Sequence, residues 1–149
     1  MAINFAERGD KKQLEEGDGF APKFDADGLL PAIATDAETG DVLMFAFMNE
    51  EALRQTIATG HAHFYSRSRK KQWKKGESSG HVLEIHEMRT DCDQDVVWMK
   101  CTVTNGGGAC HVGYKSCFYR EIPVGEHGGE PMKPIGGEKV YDPAKVYGK

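Results

Sequence analysis

The chain has 149 residues, 39% of them hydrophobic and 28% charged, which suits a single globular domain with one modest core. Its net charge of -4 supplies no general attraction to nucleic acid or to a membrane surface. No apolar run of about 18 residues is available to span a bilayer, and the charged N-terminus MAINFAERGDKKQLEEGDGF lacks the apolar h-region of a secretory signal. A cytoplasmic protein without membrane contact is expected.

Residues 1–24 are polar and irregular and read as an N-terminal arm. The stretch PAIATDAETGDVLMFAFMNE reads as a hairpin, two β-prone runs around the turn residues AETGD. The second run, Val42 to Met48, is apolar on both faces and predicts a central, covered strand. Asn49 is placed to cap a helix, with Glu50 and Glu51 in the first turn, where the helix dipole favours them. Ala52, Leu53 and Ile57 share one face of that helix, and Gly60 ends it. HAHFYSRS is the next strand, followed by the basic loop RSRKKQWKKGESSG. HVLEIHEM alternates with Leu83 and Ile85 inward, and VVWMKCTVT alternates with Val97, Met99, Cys101 and Val103 on one face. CFYREI is a last short strand. The glycine-rich remainder, residues 123–149, has no periodicity and reads as an extended tail. The class is α+β: a small domain over residues 25–122, built on a mixed or antiparallel sheet with one or two helices.

The segment DCDQD interleaves hard and soft ligands. Asp91, Asp93 and Asp95 offer oxygens that suit magnesium, and Cys92 offers a thiol that suits zinc. In an extended strand Asp91 and Asp95 would stand roughly 13 Å apart, so one ion can reach all three carboxylates only if the chain bends. A loop entering the following strand is therefore expected. Alternation also turns Cys92 away from the carboxylates, which separates the two metals. Read without a metal, the same segment is a solvated acidic loop.

There are four cysteines, and in a reducing compartment such a cluster points to metal or catalysis rather than disulfides. Cys110 and Cys117, seven apart, are too widely spaced for a C-x-x-C zinc knuckle, but together with Cys92 they are the candidates for a three-thiolate zinc set. Three protein ligands leave one coordination position open, the mark of a catalytic zinc. His111 could close the site but lies directly beside Cys110. Cys101, between Met99 and Val103 on an apolar strand face, reads as a small core hydrophobe.

Four blocks in order, VLMFAFMNEEAL, HFYSRSRKKQWKKGESSG, DCDQD and CHVGYKSCF, resemble phosphoribosyl-AMP cyclohydrolases of histidine biosynthesis. Gln72, where an aliphatic residue is the rule, and a slightly long TVTNGGGA segment are the departures. The resemblance implies zinc on Cys92, Cys110 and Cys117, magnesium on Asp91, Asp93 and Asp95, and a homodimer whose zinc site draws on both chains. It implies hydrolytic opening of the adenine ring between N1 and C6 of a small-molecule nucleotide. The chain is too short for the pyrophosphohydrolase domain fused to some relatives.

That chemistry asks for a group that protonates N1, and His111 is the first candidate. The alternative for His111 is a residue that orients a metal ligand. His61, His63, His81 and His86 read more simply as structural. The two phosphates call for the basic loop: Arg67, Arg69 and Lys75 as grips, Ser78 and Ser79 in a turn of small residues, Trp73 as a stacking face or a core anchor, and Glu77 as a polar contact.

Three other readings compete. A zinc-stabilised nucleic-acid-binding module would use residues 67–75 as its contact surface, against the net charge and the acidic triplet. A nucleoside deaminase would need H-x-E and P-C-x-x-C signatures, which the chain lacks. A magnesium-dependent pyrophosphohydrolase would leave three thiols unexplained.

Overall fold

The computed structural model of the chain describes residues 3–147; the first two residues of the arm and the last two of the tail lie outside the described residues. After a short helix α1 (Lys11–Glu16), strands β1 (Leu30–Asp36) and β2 (Val42–Met48) form the expected hairpin, with Ile33 opposite Phe45. The Asp36 carboxylate shapes its turn by accepting from the backbone N–H groups of Glu38 and Thr39. Helix α2 (Glu50–Thr59) is capped by Asn49, whose side chain accepts from the N–H of Ala52 at 2.9 Å, and ends at Gly60 with φ +74°. Strands β3 (His63–Ser66), β4 (Lys71–Lys74), β5 (Leu83–Thr90) and β6 (Val97–Val103) follow.

The main sheet runs β2-β1-β6-β5, with β1 parallel to β6 and the other pairs antiparallel. It is the mixed sheet of an α+β domain. One face carries the core: Leu30, Leu43, Met48, Leu53, Phe64, Leu83 and Met99 are fully buried beneath α2 and the β3–β4 hairpin. On α2 the buried residues are Ala52, Leu53 and Thr56. Thr56 takes the place expected for Ile57 because its hydroxyl has buried partners, the carbonyls of Ala52 and His63.

Two elements differ from expectation. Strand β2 is an edge strand, not a central one. Its double-sided apolarity reflects the second sheet face, where Ile33, Phe45 and Trp98 lie in cross-strand register and Phe45 is 47% exposed. The basic segment is a hairpin rather than a loop, because Lys71–Lys74 pairs with His63–Ser66. The unexpected Gln72 donates to the Asn49 carboxamide oxygen at 3.2 Å, tying this hairpin to the cap of α2.

The two chain ends lie against the domain. Phe5, Phe20 and Phe24 of the arm pack on the core. The CFYREI strand shortens to β7 (Arg120–Glu121), paired with β8 (Lys133–Pro134), and the tail closes with a helical turn α3 (Pro143–Tyr147).

Cys101 is fully buried, and burial, reinforced by the Asp36 charge, pushes its thiol up to about 12. It is a core residue. Cys101→Ser places a hydroxyl in an apolar niche and is expected to cost about 1–3 kcal/mol in denaturant unfolding, with zinc content unchanged; loss of zinc would move Cys101 into the metal site.

Candidate active site

Three segments carry the candidate residues: the basic hairpin with its serine turn, the cysteine loop, and the acidic turn. The hairpin brings Arg69, Trp73, Lys75, Glu77, Ser78 and Ser79 together with His111 around one cleft of about 480 Å³. Arg67 lies outside it, in an adjoining hollow of about 670 Å³ that shares Arg69 and Trp73 and is floored by Phe45 and Phe47. There its guanidinium stands 4.2 Å from the Phe47 ring centroid, the geometry of a cation–π contact. Trp73 combines both roles weighed for it. One side packs on buried Phe64, with centroids 4.9 Å apart, and the indole also borders both hollows.

Lys75 differs from a surface phosphate grip. Only 7% of it is exposed, and its ammonium donates to the Ala109 carbonyl at the base of the cysteine loop. The loop is held from other sides as well. The Cys117 N–H donates to the Leu43 carbonyl at 2.7 Å, and Lys115 pairs with Asp36 at 2.9 Å. Burial alone would raise the Asp36 carboxyl, but Lys115 and the two turn N–H groups outweigh it and hold it below the usual carboxylate range.

Within this loop the Cys110 and Cys117 thiols meet. Cys117 is exposed as a residue, yet partial burial of its thiol first, then the Cys110 thiol beside it, raise it to about 11, while the Lys75 charge pulls the other way. Two soft donors in contact beside a fixed ammonium fit half of a zinc coordination sphere, because a bound zinc keeps its thiols deprotonated and Lys75 offsets the charge. His111 is exposed beside them and faces the cleft.

The acidic segment bends as expected. The Gln94 N–H donates to the Asp91 carbonyl, Gln94 takes φ +57°, and the Asp95 N–H donates to the Asp91 carboxylate. Asp91, Asp93 and Asp95 thereby each bring one oxygen within 4.8 Å of the others. Opposite oxygens of an octahedral magnesium stand about 4.2 Å apart, so this all-oxygen set fits such an ion with small closure. Among the described residues it is the one place where three potential ligand residues converge. Cys92, in the same turn, is exposed.

The three thiols do not converge within one chain. Strand β6 runs from the acidic turn to the cysteine loop, and its seven residues separate the two by roughly 20 Å.

Comparison with known proteins bears directly on these segments. The family model described as phosphoribosyl-AMP cyclohydrolase matches residues 44–119. The chain belongs to the phosphoribosyl-AMP cyclohydrolase family. The match runs from β2 to just past Cys117 and contains every site residue named from the sequence. Curated relatives extend the family likeness to the arm and much of the tail. The phosphoribosyl-AMP cyclohydrolase of Rhodopseudomonas palustris strain TIE-1 is 59% identical over 136 residues, 91% of this chain and 89% of the relative. That of Nitrobacter winogradskyi is 58% identical over 91% of this chain and 92% of its own length. That of Bradyrhizobium diazoefficiens is 53% identical over 92% and 96%. As a member of this family the chain is a hydrolase. No helix among the described residues is long and apolar enough to cross a membrane.

Near the site, Gln94 carries no functional weight in the sequence and His81 stands there only as a weaker candidate for the proton donor. Gln94 is buried, and its carboxamide accepts from the Ala21 N–H at 2.8 Å and donates to the Leu14 carbonyl at 2.8 Å. Together with Arg8, which donates to the Asp93 carbonyl, it staples the arm to the acidic turn. A glutamine between aspartates gives no sequence signal for such a role. His81 is also buried, and its Nδ1 finds no hydrogen-bond partner among the described residues. A Cβ on Gly107 would lie 2.2 Å from its ring, so the GGG stretch leaves room for this imidazole.

Burial first, then the Lys75 charge, hold His81 below its ordinary value of 6.5. The unfolded chain therefore binds the proton more readily, and stability is lost as pH falls below about 6.5. In denaturant titrations His81→Gln should flatten that acid-side loss; an unchanged pH profile would count against it. Gln94→Ala is expected to cost about 1–3 kcal/mol and to speed amide exchange in the arm at Ala21.

Proposed function

We propose that the chain hydrolyses the N1–C6 bond of the adenine ring of phosphoribosyl-AMP, giving the ring-opened formimino aminoimidazole carboxamide ribotide of histidine biosynthesis. The observation that carries this is the cleft in which a basic, serine-bearing wall faces His111, the residue that follows Cys110 in the loop where Cys110 and Cys117 lie side by side. In this reading the working unit is a homodimer. Cys92 of a second copy joins Cys110 and Cys117, because β6 keeps a chain's own Cys92 at the far end of the sheet.

Zinc, when bound there, supplies water activation near neutral pH, where free water is a poor nucleophile. The protein's own groups do the rest. The fork of Arg69 faces the cleft and that of Arg67 the adjoining hollow, so the pair can hold the two phosphates of an N1-substituted nucleotide at separate points. The Trp73 indole gives the purine a flat wall. Ser78, Ser79 and Glu77 offer hydroxyl and carboxylate contacts to ribose and phosphate. His111 delivers a proton to N1 as the N1–C6 bond breaks, the general-acid role of a positioned imidazole. Lys75 stays with the cysteine loop and balances thiolate charge. Asp91, Asp93 and Asp95 would hold magnesium, which supplies a positive template for phosphate oxygens.

The test is turnover of phosphoribosyl-AMP by metal-free protein, then with zinc restored, then with zinc and magnesium. Ring opening that depends on zinc and gains from magnesium is the expected result. Cys110→Ser should lose zinc and nearly all turnover; His111→Asn should keep zinc and lower kcat by about 10²–10⁴. Tight zinc binding without turnover in any tube would instead make the zinc structural and sink the proposal.

A further inference from the structure

The tail does more than follow the last strand. The Ile135 N–H donates to the Tyr119 carbonyl at 2.8 Å, starting a return path alongside the chain that leaves the cysteine loop. Five residues on, the Val140 N–H donates to the Gly113 carbonyl at 2.8 Å. The Tyr141 hydroxyl then donates to the Cys110 carbonyl at 2.6 Å. The Tyr141 ring meets buried His81 edge-on, with centroids 4.6 Å apart. The fit is close: Gly113 has φ +114°, and a Cβ there would come within 2.8 Å of the Tyr141 carbonyl. A strap of residues 135–143 thus crosses the turn that holds Cys110 and His111. It takes up two of that turn's carbonyls, while Lys75 takes up a third at Ala109.

We infer that this strap belongs to the metal centre and that Tyr141 is a positioning residue for Cys110. The hydroxyl fixes the peptide plane of Cys110, and through it the direction of the thiol toward Cys117. The same carbonyl also accepts the Gly113 N–H at 3.1 Å, so the hydroxyl is its second donor. Removing it takes away one of two restraints on the turn, and a metal site tolerates little misplacement of a ligand. Groups that orient ligands in this way are typically worth 10–100-fold in metal affinity or activity. The inference rests on the reading that Cys110 and Cys117 hold zinc.

Tyr141→Phe is the sharp variant, because it keeps the ring against His81 and removes only the hydroxyl. Zinc affinity is measured by chelator competition for wild type and variant. The thiolate charge-transfer band of the cobalt-substituted proteins reports ligand geometry. The expected result is a folded variant by circular dichroism that binds zinc about 10-fold more weakly, with an altered cobalt band and a lowered kcat at unchanged KM. Wild-type affinity with an unchanged band would overturn the inference. Should the variant fail to fold, wild-type protein decides by reciprocity: zinc must slow exchange of the Val140 amide, and an indifferent Val140 amide overturns the strap's role. Wild-type protein that binds no zinc would instead remove the cysteine centre itself, which separates that failure from a failure of the strap.

Discussion

The arrangement hangs on the pairing of β6 with β1. β6 lies in the interior of the sheet, flanked by β1 and β5, with Val97, Met99 and Cys101 buried on its core side. An extended strand cannot shorten, so whatever precedes β6 is kept about 20 Å from whatever follows it. The acidic turn precedes it and the cysteine loop follows it. Three thiols that sequence chemistry would group on one ion are therefore split, two at one end of the sheet and one at the other. A second copy is the economical way to reunite them. The uncovered sheet face with Ile33, Phe45 and Trp98 in register is a surface of the kind that such pairing uses.

The acidic turn and the cysteine turn are each steadied by a chain end. Gln94 and Arg8 bind the arm to the aspartate turn, and Tyr141 and Val140 bind the tail to the cysteine turn. Turns that collect like charge or several thiols oppose their own compaction, and neither turn belongs to a strand ladder that would hold it. Hydrogen bonds between side chains and backbone groups of distant segments, with the Val140–Gly113 backbone bond, supply that restraint. The same logic explains Lys75: a buried ammonium is costly in isolation, and here it has the Ala109 carbonyl and the Cys117 thiol for company.

Much of this was legible in the residues. Asn49 and Gly60 mark the helix ends by capping chemistry alone, and period-two alternation placed β5 and β6. The bend of DCDQD followed from the reach of three carboxylates toward one ion. Gathering Arg69, Trp73, Lys75, Glu77, Ser78, Ser79 and His111 into one cleft agrees with their grouping by chemistry. Other features lay beyond local pattern. Alternation cannot tell a central strand from an edge strand whose outer face is apolar, which is why β2 was misplaced. The pairing of Lys71–Lys74 with His63–Ser66 runs against the low strand propensity of lysine and is carried by Trp73 on Phe64. Lys75 looked like part of a uniform basic run, and only tertiary packing turns it inward. Gln94 and Tyr141 act through hydrogen bonds to residues 31 to 80 positions away in sequence, His81 meets Tyr141 across a ring face, and no short motif announces them.

The division of the thiols between chains is the central claim, and mixing two inactive variants tests it most directly. Cys92→Ser and Cys117→Ser are each expected to lack turnover. Unfolded together and refolded at equal amounts, they should form mixed dimers in which one site is doubly broken and the other contains Cys92, Cys110 and Cys117 intact. Random assortment then restores roughly a quarter of wild-type turnover, since a two-fold dimer carries two equivalent sites. Activity that stays at the level of the separate variants would contradict the account, and would place all zinc ligands on one chain.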